Sequence, residues 1–407
     1  MDTVGVCRAL LEKGNGRWSA NRERAGVSVF VLIDALGWSY LEGREFLDDL
    51  LPYRTPLRTV LGFSSGAIPT ILTGKQPSTT GHWNLFYYDP NNSPFQWMRH
   101  FGFLPDRLLD NRVSRKLIKE VGKRFLGLGP LFDCCVSPRL LPWFNWVERK
   151  NIYDQGGIGG ARSIFDQLAD NGIPHRVYTY HHATDAEIFR QAEHDITSRI
   201  ASFFFVYLSE TDMFLHLHCN EQKLIDDCIR WYESNLRRLF AAAREVDPNL
   251  TFTVLSDHGM TPVRRQFDLV GEIESLQLRM PGDYLAVYDS TMARFWFFHD
   301  QARRMIQEKL DRAQCGHVLA EDELRRLGVL FEDQRFGETI FLLDPGWLFS
   351  RSDFNGTAWF PAGMHGYHPE EDRYSDAIFL SNRAPGCPME TIKDVYPCMW
   401  QAAGRVQ

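Results

Sequence analysis

Three short runs place acids and imidazoles where they could share a cation. SVFVLIDAL carries Asp34 near its end, SETDMFLHLH carries Asp212 and His216 four residues apart, and TVLSDHGMTPV sets Asp257 and His258 side by side after an apolar stretch. A fourth run, GMHGYHP, holds His365. Carboxylate oxygen together with imidazole nitrogen suits zinc, manganese or iron better than calcium, which prefers oxygen alone. Each residue also has an ordinary use. Asp at a strand end commonly bonds local backbone, a four-residue spacing puts any two side chains on one helical face, SDHGM reads equally as a cap and turn, and His365 alone fits a structural role.

What joins these residues is the kind of element that carries them. Continuous apolar runs at 28–36, 175–180, 202–210 and 250–259 read as buried strands of the parallel kind. Residues 219–246 have apolar side chains at helical spacing and end before Asp-Pro, the crossover that a parallel pair needs. The pattern predicts an α/β sheet with helices on both faces. Ligands bind such sheets at the carboxyl ends of the strands, which is where Asp34, Asp212 with His216, and Asp257 with His258 fall. Beyond residue 270, AVYDSTMARFWFF, QARRMIQEKLDRAQ and GETIFLLDP suggest a smaller α+β lobe over 270–355. Residues 95–150, rich in Phe, Pro, Trp and basic side chains, read as an insertion or cap within a catalytic domain running from 25 to 407.

A chain of 407 residues with 44% hydrophobic and 24% charged content has the make-up of an ordinary globular protein, long enough for one large domain with a lobe. The formal charge of −7 offers no general attraction for a nucleic acid polymer or an anionic membrane, although a local basic pocket can hide inside that sum. No stretch has the ~20 uninterrupted apolar residues of a membrane span. The first 26 residues lack the apolar core and cleavage site of a secretory signal. The expectation is a cytoplasmic protein without membrane contact, its oligomeric state open. The eight cysteines are scattered, with Cys134 and Cys135 adjacent, and are expected to be reduced and mostly buried.

The stretch GFSSGAIPTILTGKQPSTTGHWNLFYYDP, residues 62 to 90, completes an order of parts: a strand ending in Asp, a hydroxyl-bearing turn, TG-x-x-P, D-x-x-x-H, S-D-H-G-M and a late G-x-H-G. That order resembles the alkaline phosphatase superfamily, in particular its branch of type I phosphodiesterases and nucleotide pyrophosphatases, over about 28–90, 202–262 and 360–400. The resemblance implies an α/β three-layer sandwich, a mostly parallel sheet with helices on both faces, plus a cap or insert lobe. It also implies two neighbouring divalent metal sites, usually zinc, with manganese or iron as alternatives. Asp34, Asp257 and His258 would hold one ion, and Asp212, His216 and His365 the other.

In the family the nucleophile lies ten residues before the glycine of TG, and counting back from Gly74 lands on Ser64. Ser65 is a rival, because one inserted residue in the turn would swap them. A serine hydroxyl is a poor nucleophile at neutral pH, and coordination to a metal removes that difficulty. A following helix, AIPTILTG, would aim its amide dipoles at a bound anion. The implied reaction is in-line phosphoryl transfer through a covalent phosphoserine, then hydrolysis.

Substrate class is read from what surrounds the nucleophile. Relatives carry an Asn about twenty residues further on; aligned on Tyr88, Asp89 and Pro90, that column holds Leu85, with Asn84 beside it and His82 as another candidate donor. No Arg or Lys occurs from Gly62 to Gly74 to clamp a dianionic monoester. A phosphodiester, pyrophosphate or phosphonate is therefore favoured, as a small phosphate ester with nucleotides among the candidates, contacted by Ser65 and Asn84. Trp83, Phe86, Tyr87 and Tyr88 would either stack on a base or pack in the core. The alternatives are a phosphomonoesterase, a phosphomutase or transferase using the same site, and a metal-binding pseudoenzyme.

Overall fold

A computed structural model describes residues 26–128, 132–134, 136–180, 183–354 and 360–404. The N-terminal segment read above for a signal, and Cys135, lie outside the described residues.

A six-stranded sheet runs in the order Tyr53–Leu57, Ala377–Ser381, Thr251–Leu255, Ser28–Ile33, Phe203–Leu208, His175–Tyr178. Ser28–Ile33 pairs in parallel with both Phe203–Leu208 and Thr251–Leu255, and His175–Tyr178 continues the parallel set. Ala377–Ser381 runs antiparallel to its two neighbours. Every residue of Ser28–Ile33 is buried because the sheet is covered on both sides. Val29, Val31 and Ile33 face one hydrophobic cluster, and Phe30 and Leu32 face the other, as the two-residue period of a strand requires.

The first face is covered by helices Asp185–Thr197 and Gln222–Val246. Gln222–Val246 buries Ile225, Ile229, Tyr232, Leu236, Leu239, Phe240 and Ala243, a stripe at steps of three and four residues that faces the sheet. Each such aliphatic side chain taken from water contributes about 1.5–3 kcal/mol. The second face is covered by Ser64–Thr73, Ile164–Asp170 and Val395–Gly404. The result is an alkaline phosphatase-like α/β sandwich. One detail departs from the sequence reading: the 222–246 helix does not join neighbouring strands. It links Phe203–Leu208 to Thr251–Leu255 across the central strand.

Register sets the heights of the strand ends. Leu32 lies opposite both Tyr207 and Leu255, so Asp34, the turn after Leu208 and the turn after Leu255 emerge at one level. Residues 284–343 add an antiparallel four-stranded sheet, in the order Tyr284–Tyr288, Met292–Phe297, Thr339–Leu343, Gly316–Val318. Its one face packs with helix Asp300–Asp311; from the other, Leu285, Val287 and Trp296 meet a cluster that includes Phe86, Phe132, Phe144 and Trp146. In that region Phe86–Tyr88 pairs antiparallel with Phe144–Trp146. The fully buried Arg294 ties the two together, its Nε donating to Asp289 Oδ2 at 2.7 Å and its Nη1 to the Phe86 carbonyl at 2.9 Å. Among the described residues no helix is long and apolar enough to cross a membrane.

Candidate metal centre

The turn after Thr251–Leu255 holds Ser256, Asp257 and His258, all buried. Asp257 Oδ1 accepts from the amides of Ala35 at 3.2 Å and His258 at 3.1 Å, which fixes the carboxylate. The turn closes on Gly259, where a Cβ would stand 2.0 Å from the Tyr374 carbonyl oxygen; no larger residue fits there. Asp34 follows the central strand, and its Oδ2 accepts a hydrogen bond from the Tyr207 hydroxyl. Asp212 and His216 share one face of helix Glu210–His218. His365 follows the short Gly363–Met364 strand, which pairs with Thr261–Pro262 beyond the 257–259 turn.

These side chains form two groups. In each of the sets Asp34, Asp257, His258 and Asp212, His216, His365, the candidate ligand atoms all lie within 4.8 Å of one another. The imidazoles of His258 and His365 stack with ring centres 3.9 Å apart, so the groups are adjacent.

The hydrogen bonding fits a cation in each. His258 Nδ1 lies 2.9 Å from the Gly259 carbonyl oxygen and His216 Nδ1 lies 2.8 Å from that of Gly363. A carbonyl only accepts, so both Nδ1 atoms carry a proton, which leaves each Nε2 directed at the carboxylates. His258 Nε2 is 3.2 Å from Asp257 Oδ2 and 3.5 Å from Asp34 Oδ1. Asp212 Oδ1 is 3.4 Å from His216 Nε2 and 3.5 Å from that of His365. These separations exceed those of charge-assisted hydrogen bonds. Asp34 Oδ1, Asp257 Oδ2 and Asp212 Oδ1 are buried without a hydrogen-bond partner, a costly state that a shared cation relieves.

The electrostatics agree. Burial, then Asp257 and Asp212, push the Asp34 carboxyl well above its ordinary range. Burial also pushes the Asp212 carboxyl up, but His216, His365 and His258 outweigh it and hold it below the usual value. Burial and the neighbouring His258 hold His365 well below the ordinary imidazole range, leaving it neutral and able to ligate.

Ser64 opens helix Ser64–Thr73, whose cap residue, Phe63, supplies no side-chain cap. Ser64 Oγ lies 3.0 Å from His258 Nε2, whereas Ser65 Oγ donates to the Trp83 carbonyl at 2.7 Å. Both serines, Asn84 and Leu85 line a cavity of about 390 Å³ that also reaches Asp212, His216 and His365. Asn84 is buried, its Oδ1 without a partner.

The structure decides several alternatives that the sequence left open. His82 does not line this cavity. Trp83, Phe86, Tyr87 and Tyr88 do not line it either: Trp83 is buried with its indole N–H on the Leu61 carbonyl, and Phe86 packs on Phe132 and Trp146. The rings that do line it are Phe63, Trp146, Tyr153, Tyr180, Tyr207 and Phe354, with Glu148 beside them. Sequence reasoning missed all of these. Tyr207 alone left a trace, as the one polar tip in the FFFVYL strand, two rows from Asp34. His368 is buried 3.2 Å from Glu323, and His218 is held by Glu221 at 2.7 Å; neither belongs to the two groups.

A sheet of this topology with acid and imidazole clusters at its strand ends defines the class. Residues 28–368 match the family model of type I phosphodiesterases and nucleotide pyrophosphatases, and the chain belongs to that family. Among solved structures it is similar to human ectonucleotide pyrophosphatase/phosphodiesterase 5, at 15% identity and a TM-score of 0.65, over 93% of this chain and 95% of that one. The murine counterpart matches at 16% identity and 0.65 over the same shares. An inactive form of the murine protein in complex with AMP matches at 16% and 0.64, again over 93% and 95%. At these identities the likeness speaks for the fold. No curated protein matches the chain by sequence.

Proposed function

We propose that this chain hydrolyses a phosphodiester, pyrophosphate or phosphonate bond, with Ser64 as nucleophile and two divalent ions, zinc foremost, as cofactors. Asp34, Asp257 and His258, with the Ser64 hydroxyl, would hold one ion; Asp212, His216 and His365 would hold the other. Such ions supply positive charge that favours the serine alkoxide and neutralises charge on the entering and leaving oxygens.

The observation that carries this reading is the position of Ser64 Oγ, 3.0 Å from His258 Nε2, at a helix N-terminus and on the cavity wall. Ser64 Oγ attacks phosphorus as the bond to the leaving oxygen breaks, and water then cleaves the phosphoseryl ester. The Gly259 carbonyl keeps the His258 proton on Nδ1, so that Nε2 would be left to hold the ion beside the Ser64 hydroxyl. Ser65 and Asn84 contact the phosphoryl oxygens.

Among the described residues the cavity wall contains no Arg or Lys, which favours a monoanionic diester over a dianionic monoester or a polyphosphate tail. Phe63, Trp146, Tyr153, Tyr180 and Phe354 offer ring faces to an aromatic leaving group such as a nucleoside. The test is turnover of bis-p-nitrophenyl phosphate, a nucleoside p-nitrophenyl ester and p-nitrophenyl phosphate by metal-loaded protein. Both diesters should be cleaved faster than the monoester, and Ser64→Ala should lose roughly 10³-fold or more of kcat while retaining metal. Ser65→Ala should weaken substrate binding, read as a raised KM, while retaining most of kcat. Release from the monoester alone, or full activity of Ser64→Ala, overturns the reading.

A further inference from the structure

A second groove, of about 520 Å³, lies behind the cavity wall. The two are opposite in charge. Among the described residues, the catalytic cavity is lined by Glu148 and Asp212 and by no Arg or Lys, whereas the groove is lined by Arg149, Lys150 and Arg335 and by no Asp or Glu. One segment serves both: Trp146 and Glu148 line the cavity, and Val147 and Arg149 line the groove, the alternation of an extended chain. The same division holds at 82–87, where Asn84 and Leu85 face the cavity and His82 and Tyr87 the groove.

The groove is rich in unspent donors. Arg149 places Nε and Nη2 on Asn145 Oδ1, at 3.1 and 2.6 Å, and pairs with no carboxylate among the described residues. Among the described residues the Lys150 ammonium reaches only the Gly156 carbonyl, at 3.5 Å. Arg335 is offset by Asp333. The amides of Gly159 and Gly160 have no acceptor among the described residues. A Cβ at Gly160 would meet the Thr79 carbonyl oxygen at 2.3 Å, so glycine there lets the two loops close the end of the groove. His82, 5% exposed, is on the wall with its Nδ1 unpartnered, and burial pushes its pKa down to about 4, which keeps the imidazole neutral.

We infer that this groove binds a dianionic phosphate group, free or as an organic monoester, held by Arg149 and Lys150 with the Gly159 and Gly160 amides and His82 completing its hydrogen bonds. Guanidinium, ammonium and consecutive backbone amides are the donors that phosphate oxygens take. The overall charge of −7 hides this local basic surface. The inference stands apart from the catalytic reading, since binding here requires no turnover.

The test is a titration of the metal-loaded full chain with inorganic phosphate and with phenyl phosphate at constant ionic strength, following the Gly160 amide resonance. Saturable shifts are expected, with affinity weakened about tenfold by Lys150→Gln and further by the Arg149→Gln/Lys150→Gln pair. Gly159→Phe, at a position where an added Cβ meets nothing within 4 Å, should block binding while leaving the fold intact by circular dichroism. Tighter binding of phenyl phosphate would identify an organic monoester engaging Tyr87 and Phe331, and tighter inorganic phosphate a free ion; either supports the site. No saturable shift, shifts that chloride reproduces, or affinity unchanged in both charge variants overturns it.

Discussion

Replacing Tyr207 by Phe removes one hydroxyl and leaves the ring in place. The ring sits 6.0 Å from Tyr153 and 5.5 Å from Tyr180, centre to centre, so the apolar packing is preserved. What is lost is the hydrogen bond to Asp34 Oδ2, leaving that oxygen, like Oδ1, without a donor. A hydrogen bond to a charged group contributes about 1.5–3 kcal/mol. The Asp34 carboxyl is already held high by burial and by Asp257 and Asp212, so removing the hydroxyl makes its ionised form harder still to reach. Partners that orient a metal ligand are each worth about 10–100-fold in metal affinity, and zinc binding should weaken by that factor. Competition against a chromophoric chelator measures it, with thermal melting as the control for folding. Affinity within about twofold of the parent would refute the idea that Tyr207 prepares Asp34 as a ligand.

Three further expectations follow from individual groups. The Glu148 carboxyl, pushed up to about 7 by burial, contributes stability that is fully present below about 4.5 and is lost as pH rises through 7. By pH 8 that loss approaches about 3 kcal/mol, so Glu148→Gln should melt above the parent there and converge with it in acid; a gap independent of pH would contradict this. Arg294→Ala strands the buried Asp289 carboxylate and should cost about 3–5 kcal/mol in urea unfolding, much of it recovered by an Asp289→Leu/Arg294→Met pair. Chelation should lower the melting temperature, because zinc at 100 times its Kd stabilises by about 2.7 kcal/mol; equal melting with and without zinc would contradict a native-state site.

How much of this was legible in the sequence follows from distance along the chain. The strands at 28–33, 203–208 and 251–255 announce themselves by runs rich in β-branched and aromatic residues, and the residues just past their ends are the ones that meet. His365 was reachable only through the order of motifs, since nothing local marks it. Strand order was not legible. The helix ending at Val246 is consistent with neighbouring strands or with a crossover over a third, and only packing places Ser28–Ile33 between them. The aromatic run at 83–88 left base stacking and core packing open for a related reason: Trp83 and Phe86 satisfy core clusters formed with residues 132, 146, 331 and 336, far away in the chain. The rings that line the cavity come from several separate segments, and no spacing connects them.

Anomalous diffraction from zinc-loaded crystals tests the paired-cation site most directly. Two peaks should appear, one within bonding distance of Asp34, Asp257 and His258 with Ser64 Oγ beside it, the other among Asp212, His216 and His365. A single peak elsewhere, or none at saturating zinc, would contradict the proposed chemistry.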